Sequence, residues 1–152
     1  MMKKFKWIAA ILLLAFGSMQ LFRPAKNQGD PQDLTADIGH VYTMPDSVHT
    51  LLQQACYDCH SNHTRYPWYA DIQPAGWWLA SHIREGKKEL NFQEYGQYPP
   101  KRQRNKLKRI KEQLITGAMP LSSYTLIHRE AIWTPAQRQA VIVFIDSTLE
   151  KL

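Results

Sequence analysis

Cysteine is scarce in this 152-residue chain: Cys56 and Cys59 are the only two. A disulfide framework is thereby excluded as the source of stability, because two thiols this close in sequence close only a strained, reducible ring. Glycine and proline number seven and nine, too few for a collagen-like or low-complexity chain. No nucleophile, base and orienting group stand in a recognisable set, so hydrolysis has no support. Excess charge is also missing from the body of the chain. The formal charge is +6, but Lys3, Lys4, Lys6, Arg23 and Lys26 precede Pro31 against Asp30 alone, leaving fourteen basic and twelve acidic side chains in the rest. A nucleic-acid footprint needs cations clustered on a folded face, and only Lys101 to Lys111 qualifies. What remains, at 44% hydrophobic content, suffices for one domain with one core.

The two cysteines belong to Cys56-Tyr57-Asp58-Cys59-His60, the C-x-x-C-H spacing of covalent c-type haem attachment. In that reading both thiols add across the porphyrin vinyl groups, and one helical turn sets the separation of the sulfurs. His60 is the proximal iron ligand, kept neutral at its metal-facing nitrogen by a hydrogen bond from the other nitrogen. Three rivals compete. A redox dithiol wants a thioredoxin-like context of strands and crossover helix, which the flanks do not offer. Zinc would find three donors in Cys56, Cys59 and His63 but no fourth cysteine. The third is the strained disulfide.

The N-terminus reads as an export signal, with a basic start followed by the apolar run from Trp7 to Phe22. Ala15 and Gly17 have the small-residue spacing a signal peptidase accepts. The apolar run reaches about sixteen to eighteen residues, slightly under a comfortable bilayer span, and an uncleaved anchor is the preferred reading. The basic flank keeps the N-terminus inside and delivers the domain to the periplasmic side. Export agrees with the haem reading, since bacteria make the thioether linkage outside the cytoplasmic membrane.

Four helices are expected in the body. The first starts at Asp46 or Ser47, with Val48, Leu51, Leu52 and Ala55 on one apolar face running into Cys56. A loop then carries Tyr66, Trp68 and Tyr69, rings suited to excluding water from a porphyrin or to ordinary core packing. Arg65 and Tyr66 are candidates to reach a haem propionate. The second helix is expected from Pro74 through Arg84, closed by Gly86, with Trp77, Trp78, His82 and Ile83 on or near its buried side. The third runs from Lys101 to Thr116, with Leu107, Ile110, Leu114 and Ile115 inside and a basic outer face that would suit an acidic redox partner or anionic lipid. The last opens at Thr134, with Pro135 at its first position and Gln137 completing a capping box, and buries Val141, Ile142, Ile145 and Leu149.

The chain resembles the small exported haem-binding domain family of bacteria, related to the c-type cytochromes. The resemblance rests on Cys56 to Tyr69, on Ile72-Gln-Pro74 with Trp78, on Leu90-Asn-Phe92, and on Gly117-Ala-Met-Pro120 with Tyr124 and His128. It implies one covalent haem c, attached at Cys56 and Cys59 and ligated by His60. Met119, about sixty residues past His60 on a loop stiffened by Pro120, stands where c-type cytochromes place a sixth ligand. An open site, His82 or His128 are the alternatives, with Met44 a weaker one. In similar cytochromes a proline carbonyl accepts the His60 ring N–H, a role open here to Pro74 or Pro67. The C-terminal helix is expected to cross the first.

The expectation is therefore an all-α, cytochrome c-like domain at 45–152, behind a signal or membrane anchor at 1–22 and a linker at 23–44. Its cofactor-binding set is Cys56, Cys59, His60, Met119, Tyr66, Trp68 and Trp78, and its work is electron transfer with an unidentified partner protein. A haem peroxidase or gas sensor with a displaceable sixth ligand is the enzymatic alternative, and a zinc-binding module the remaining one.

Overall fold

The structure is a computed structural model that describes residues 2–152. It is all-helical, and its elements follow local sequence cues. Helix α1 (Met2–Met19) leads the chain, with no residue buried. A single turn, α2 (Ile38–Val41), is capped by the Asp37 carboxylate, which accepts from the Gly39 N–H. Helix α3 (Asp46–Ala55) follows Pro45, whose carbonyl accepts the Val48 and His49 N–H groups. It buries the predicted Val48, Leu51, Leu52 and Ala55. At Cys56 the backbone leaves helical geometry (φ −126°, ψ −39°) and restarts as one turn, α4 (Tyr57–His60). The C-x-x-C-H motif is thus a separate turn that begins at that break.

Helix α5 (Ala75–Glu89) extends beyond its expected end, and Gly86 lies inside it instead of closing it. The reason is a close approach: a Cβ at Gly86 would lie 2.6 Å from the Cys59 carbonyl oxygen, so glycine lets α5 pack directly on α4. Trp77 and Trp78, expected near the buried side, are exposed, and Gly76, Leu79 and Ile83 take the inner face. Gly76 is the small one of the three, because a Cβ there would collide with the Ala70 carbonyl oxygen.

Helix α6 (Pro100–Thr116) starts with a proline at its first position and ends at Gly117 in the left-handed region (φ 68°), where a side chain would be strained. It buries Leu107 and Leu114, while Ile115, expected inside, is 61% exposed. A helix flanked on one side by α8 buries only a narrow stripe, and Ile115 falls outside it. After a short turn, α7 (Ser122–Thr125), the chain reaches α8 (Pro135–Glu150). Its capping box is as expected: the Thr134 side chain accepts the Gln137 N–H, and the Gln137 side chain accepts the Thr134 N–H. Leu149 is only partly buried, and Phe144 adds to the buried face.

Helix α8 packs against both α6 and α3, as expected for a C-terminal helix crossing the first helix of the domain. These three helices, with Phe92, Tyr95 and Trp133, form the main core. A smaller cluster of Ala70, Leu79 and Ile83 lies under α5. Cys56 packs on the first cluster and Cys59 on the second, so the α4 turn stands between two apolar bodies.

The segment expected as a linker, 23–44, is docked. The Gly29 N–H donates to the Asn62 carbonyl at 2.8 Å and the Thr64 N–H to the Asn27 carbonyl at 3.0 Å. Further on, Asp37 is fully buried and accepts the Tyr57 hydroxyl at 2.9 Å. Its polar side chains look like linker residues in sequence, but they satisfy the backbone of the loop after the motif.

Candidate functional site

The α4 turn presents its three functional side chains through local bonds. The Cys59 and His60 N–H groups both donate to the Cys56 carbonyl, at 3.2 and 2.9 Å. That turn brings both cysteines and His60 to the wall of one cavity. Burial pushes the Cys56 thiol up to about 12 and the Cys59 thiol up to about 11. Both thiols are therefore protonated and weakly nucleophilic in the folded apoprotein.

His60 Nδ1 lies 3.1 Å from the Leu90 carbonyl oxygen. A carbonyl only accepts, so Nδ1 carries the proton and the lone pair is at Nε2. Burial also holds the imidazole below its ordinary pKa, in the neutral form a metal ligand requires. The acceptor is Leu90 in place of either predicted proline. The Pro74 carbonyl is used by the Trp78 N–H and the Pro67 carbonyl by the Ala70 N–H. Leu90 is the first extended residue after α5 (φ −152°, ψ 131°), which turns its carbonyl out of the helical ladder. The next residues close the contact: the Phe92 N–H donates to the His60 carbonyl at 2.8 Å, and the Phe92 ring meets the imidazole edge-to-face.

Two adjoining cavities, of about 210 and 330 Å³, share a wall made of Ala55, Cys56, His60, Glu89, Met119 and Pro120. Together they fall in the range of about 300–1,000 Å³ typical of cofactor sites. The first is lined further by Leu52, Phe92, Ile110 and Leu114 and by Lys106 and Arg109. The second continues over Cys59, His82, Glu85 and Tyr124. Met119 thus lies on the same two cavities as His60. Lys106, placed by sequence on an outer basic face, has only 13% of its side chain exposed and pairs with Glu89 at 3.7 Å. Arg109 meets the same carboxylate at 3.2 Å, and Lys111 is tied to Asp146 at 2.6 Å. Lys101, Arg102 and Lys108 remain exposed.

The remaining candidates lie elsewhere. The Tyr66 hydroxyl accepts the Asn27 N–H at 2.6 Å, and Lys26 sits over its ring. Trp68 is 75% exposed, and Trp78 is exposed beside the His82 ring. None of the three lines either cavity. Arg65, a candidate for a propionate, instead pairs with Asp58 at 3.1 Å. His82 reaches the second cavity, whereas His128 stacks on Tyr124 and Met44 packs against the core. The roles of Leu90 as acceptor, Gly86 as a point of close approach, Lys106 as a wall cation and the Asp58–Tyr124 pair are not given by the sequence, although Leu90 and Tyr124 stand among the residues that carry the family resemblance and Gly86 is a glycine inside an otherwise helical pattern.

Zinc fits poorly. His63 Nδ1 is bonded to the Gly29 carbonyl, and among the described residues no group of three His, Cys, Asp or Glu is placed to hold a metal ion. A porphyrin fits better, because its own nitrogens would complete the coordination: the site offers one neutral imidazole, one thioether, two thiols, an apolar lining and two cations on the wall. Fold and site thus define an all-helical haem protein. The sequence profile described as "Haem-binding domain" matches residues 14–147, and the chain belongs to that family of haem-binding proteins. Comparisons with curated proteins and with solved structures return no match.

Proposed function

We propose that this protein carries one haem c, covalently held by Cys56 and Cys59, and works in electron transfer on the periplasmic side of the cytoplasmic membrane. The observation that carries this reading is the sharing of both cavities by His60 and Met119, with Cys56 also on the common wall. When bound, the haem supplies a one-electron iron couple whose potential a Met/His pair raises. The chain's residues do the rest. His60 offers Nε2 while the Leu90 carbonyl fixes its tautomer. Met119 supplies a soft thioether, and Leu52, Phe92, Ile110 and Leu114 exclude water. Lys106 and Arg109, both paired with Glu89 in this structure, are the wall cations that propionates would draw away from that carboxylate.

The raised thiol pKa values favour attachment before the chain has folded, when both cysteines are accessible. Acid extraction followed by an alkaline pyridine spectrum tests the linkage. Haem that stays with the denatured polypeptide supports two thioethers, and haem that is fully extracted refutes them. Substituting Met119→Ala is expected to remove the low-spin ferric spectrum and lower the potential. One observation favours the enzymatic alternative: His82 and Glu85 line the second cavity. A five-coordinate resting form that turns over peroxide or binds carbon monoxide at once would support a peroxidase or sensor.

Membrane attachment through the N-terminal segment is part of the proposal. Helix α1 exposes Trp7, Ile8, Ile11, Leu12, Leu13, Leu14 and Phe16. Its eighteen residues reach about 27 Å at 1.5 Å per residue, against a hydrocarbon layer of about 30 Å. Among the described residues no helix is long and apolar enough to cross a membrane. Support comes from the aromatic corner where α1 meets the body. Gln20 bonds to the Gln73 backbone on both sides, and the Trp77 indole N–H donates to the Phe22 carbonyl at 2.6 Å. Phe22, Ile72, Trp77 and Trp78 are exposed there, a grouping suited to a membrane interface. Protease added to intact spheroplasts should degrade a membrane-retained chain, and full protection would refute the periplasmic side. The exposed Lys101, Arg102 and Lys108 suit an acidic redox partner.

A further inference from the structure

Met119 lies on a segment with few apolar ties. It follows the left-handed Gly117, and the Ala118 and Met119 N–H groups both lean on the Gln113 carbonyl at the end of α6. The α7 turn that comes next buries no residue, and Leu126 and Ile127 beyond it are exposed. The arm's apolar contact with the main core is the partly buried Tyr124 ring.

The bond that ties the arm to the attachment turn is polar. The Tyr124 hydroxyl donates to Asp58 Oδ2 at 2.7 Å. Asp58 is the second residue between the two cysteines, and it is 6% exposed. Its other oxygen is held by the Arg65 backbone N–H and Nε, each at 3.1 Å, with Arg65 Nη2 at 3.3 Å from Oδ2. The Asp58 carbonyl accepts the Thr64 hydroxyl at 2.6 Å. The carboxylate is therefore a fixed acceptor. On the arm's side, Tyr124 stacks on His128 at 4.1 Å with rings 7° from parallel, and His128 Nε2 lies 3.2 Å from the Tyr69 hydroxyl. Burial, followed by the bond to Asp58, pushes the Tyr124 hydroxyl well above its ordinary value, so it donates throughout the working range.

We infer that the Tyr124–Asp58 bond is the catch that holds the Met119 arm against the attachment turn, which makes Tyr124 a positioning residue for the sixth ligand. This rests on Met119 being that ligand, as proposed above. Four residues lie between Met119 and Tyr124, and both line the second cavity with Cys59 and His60. Releasing the hydroxyl lets the arm swing without disturbing α3, α6 or α8.

Imidazole binding to the ferric holoprotein tests the catch, because an incoming ligand must displace the thioether. Tyr124→Phe keeps the ring stacked and removes only the hydroxyl; it is expected to tighten imidazole binding about tenfold to a hundredfold, the worth of a hydrogen bond to a charged group. Met119→Ala should tighten it at least as much. Adding Tyr124→Phe to Met119→Ala should change nothing further, because the catch then holds no ligand. Should Tyr124→Phe not accumulate, Asp58→Asn keeps an acceptor without the charge and should give an intermediate rise. If Tyr124→Phe or its substitute binds imidazole as the parent does while Met119→Ala binds it tighter, the catch is wrong and the ligand assignment stands. Full additivity of the two substitutions also overturns the catch. If Met119→Ala leaves binding unchanged, the sixth-ligand assignment fails first and the catch with it.

Discussion

Burial and the hydrogen bond to Leu90 act in opposite directions on the His60 pKa, and burial prevails. Burial favours its neutral form, and the Leu90 carbonyl decides which nitrogen stays unprotonated. The pH consequence for the apoprotein follows in sign. The unfolded chain binds a proton on this group near its ordinary 6.5, while the folded chain refuses it until lower pH. Stability from this group is therefore full above that value and is lost as pH falls through 6.5 toward the depressed value. Urea midpoints of the apoprotein at pH 7.5 and 5 should show the drop, and His60→Asn should reduce it. The cysteines carry the opposite sign. Their raised values mean the folded apoprotein loses stability as pH rises from the unfolded 9.0 toward about 11 and 12. At pH 8 the same shift should slow iodoacetamide labelling roughly a hundredfold against the urea-unfolded chain, since the thiolate is the reacting form. Equal rates in the two states would contradict the raised pKa of both thiols.

At the scale of elements, the site depends on how α5 approaches α4. Gly86 permits that approach, so Gly86→Ala must push the Cys59 backbone away or strain α5. A destabilisation of about 1–3 kcal/mol is expected, the usual cost of overpacking, read from urea unfolding followed by circular dichroism. The N-terminus of α8 offers a comparison far from the haem site. Thr134→Ala removes one half of the capping box and should cost about 1 kcal/mol. Only the Gly86 substitution should also alter the visible spectrum of the holoprotein. Helix α6 shows why an outward basic face is hard to read from sequence. Lys106 is one turn from Arg102 and two residues from Lys108, yet it alone of these turns to the cavity wall, because Glu89 at the end of α5 stands opposite it.

Over the whole molecule, the two apolar clusters are joined by the α4 turn and leave cavities on either side of His60. A haem filling them adds contacts that the unfolded chain lacks. The holoprotein should therefore unfold at a clearly higher urea concentration than apoprotein made without haem attachment. Coincident midpoints would argue that the haem lies outside these cavities. The uneven charge is also a property of the whole chain, since its excess lies ahead of Pro31 while the body is near neutral.

The sequence by itself determined the motif Cys56 to His60, the buried face of α3, most of that of α8 and the capping box of α8, because these depend on neighbours three or four residues apart and on turn chemistry. The all-helical class was also legible from that periodicity. Tertiary structure decided the rest. The acceptor for His60 comes from Leu90, the wall cation from Lys106 and the tie on the Met119 arm from Asp58 and Tyr124, residues that meet only when α5, α6 and α7 close around the turn. It also turned the 23–44 segment from a tether into part of the body, since its donors and acceptors found partners around Asn62 and Tyr57. Local pattern reports which face of a helix is apolar, whereas the partner of a polar atom depends on contacts tens of residues distant.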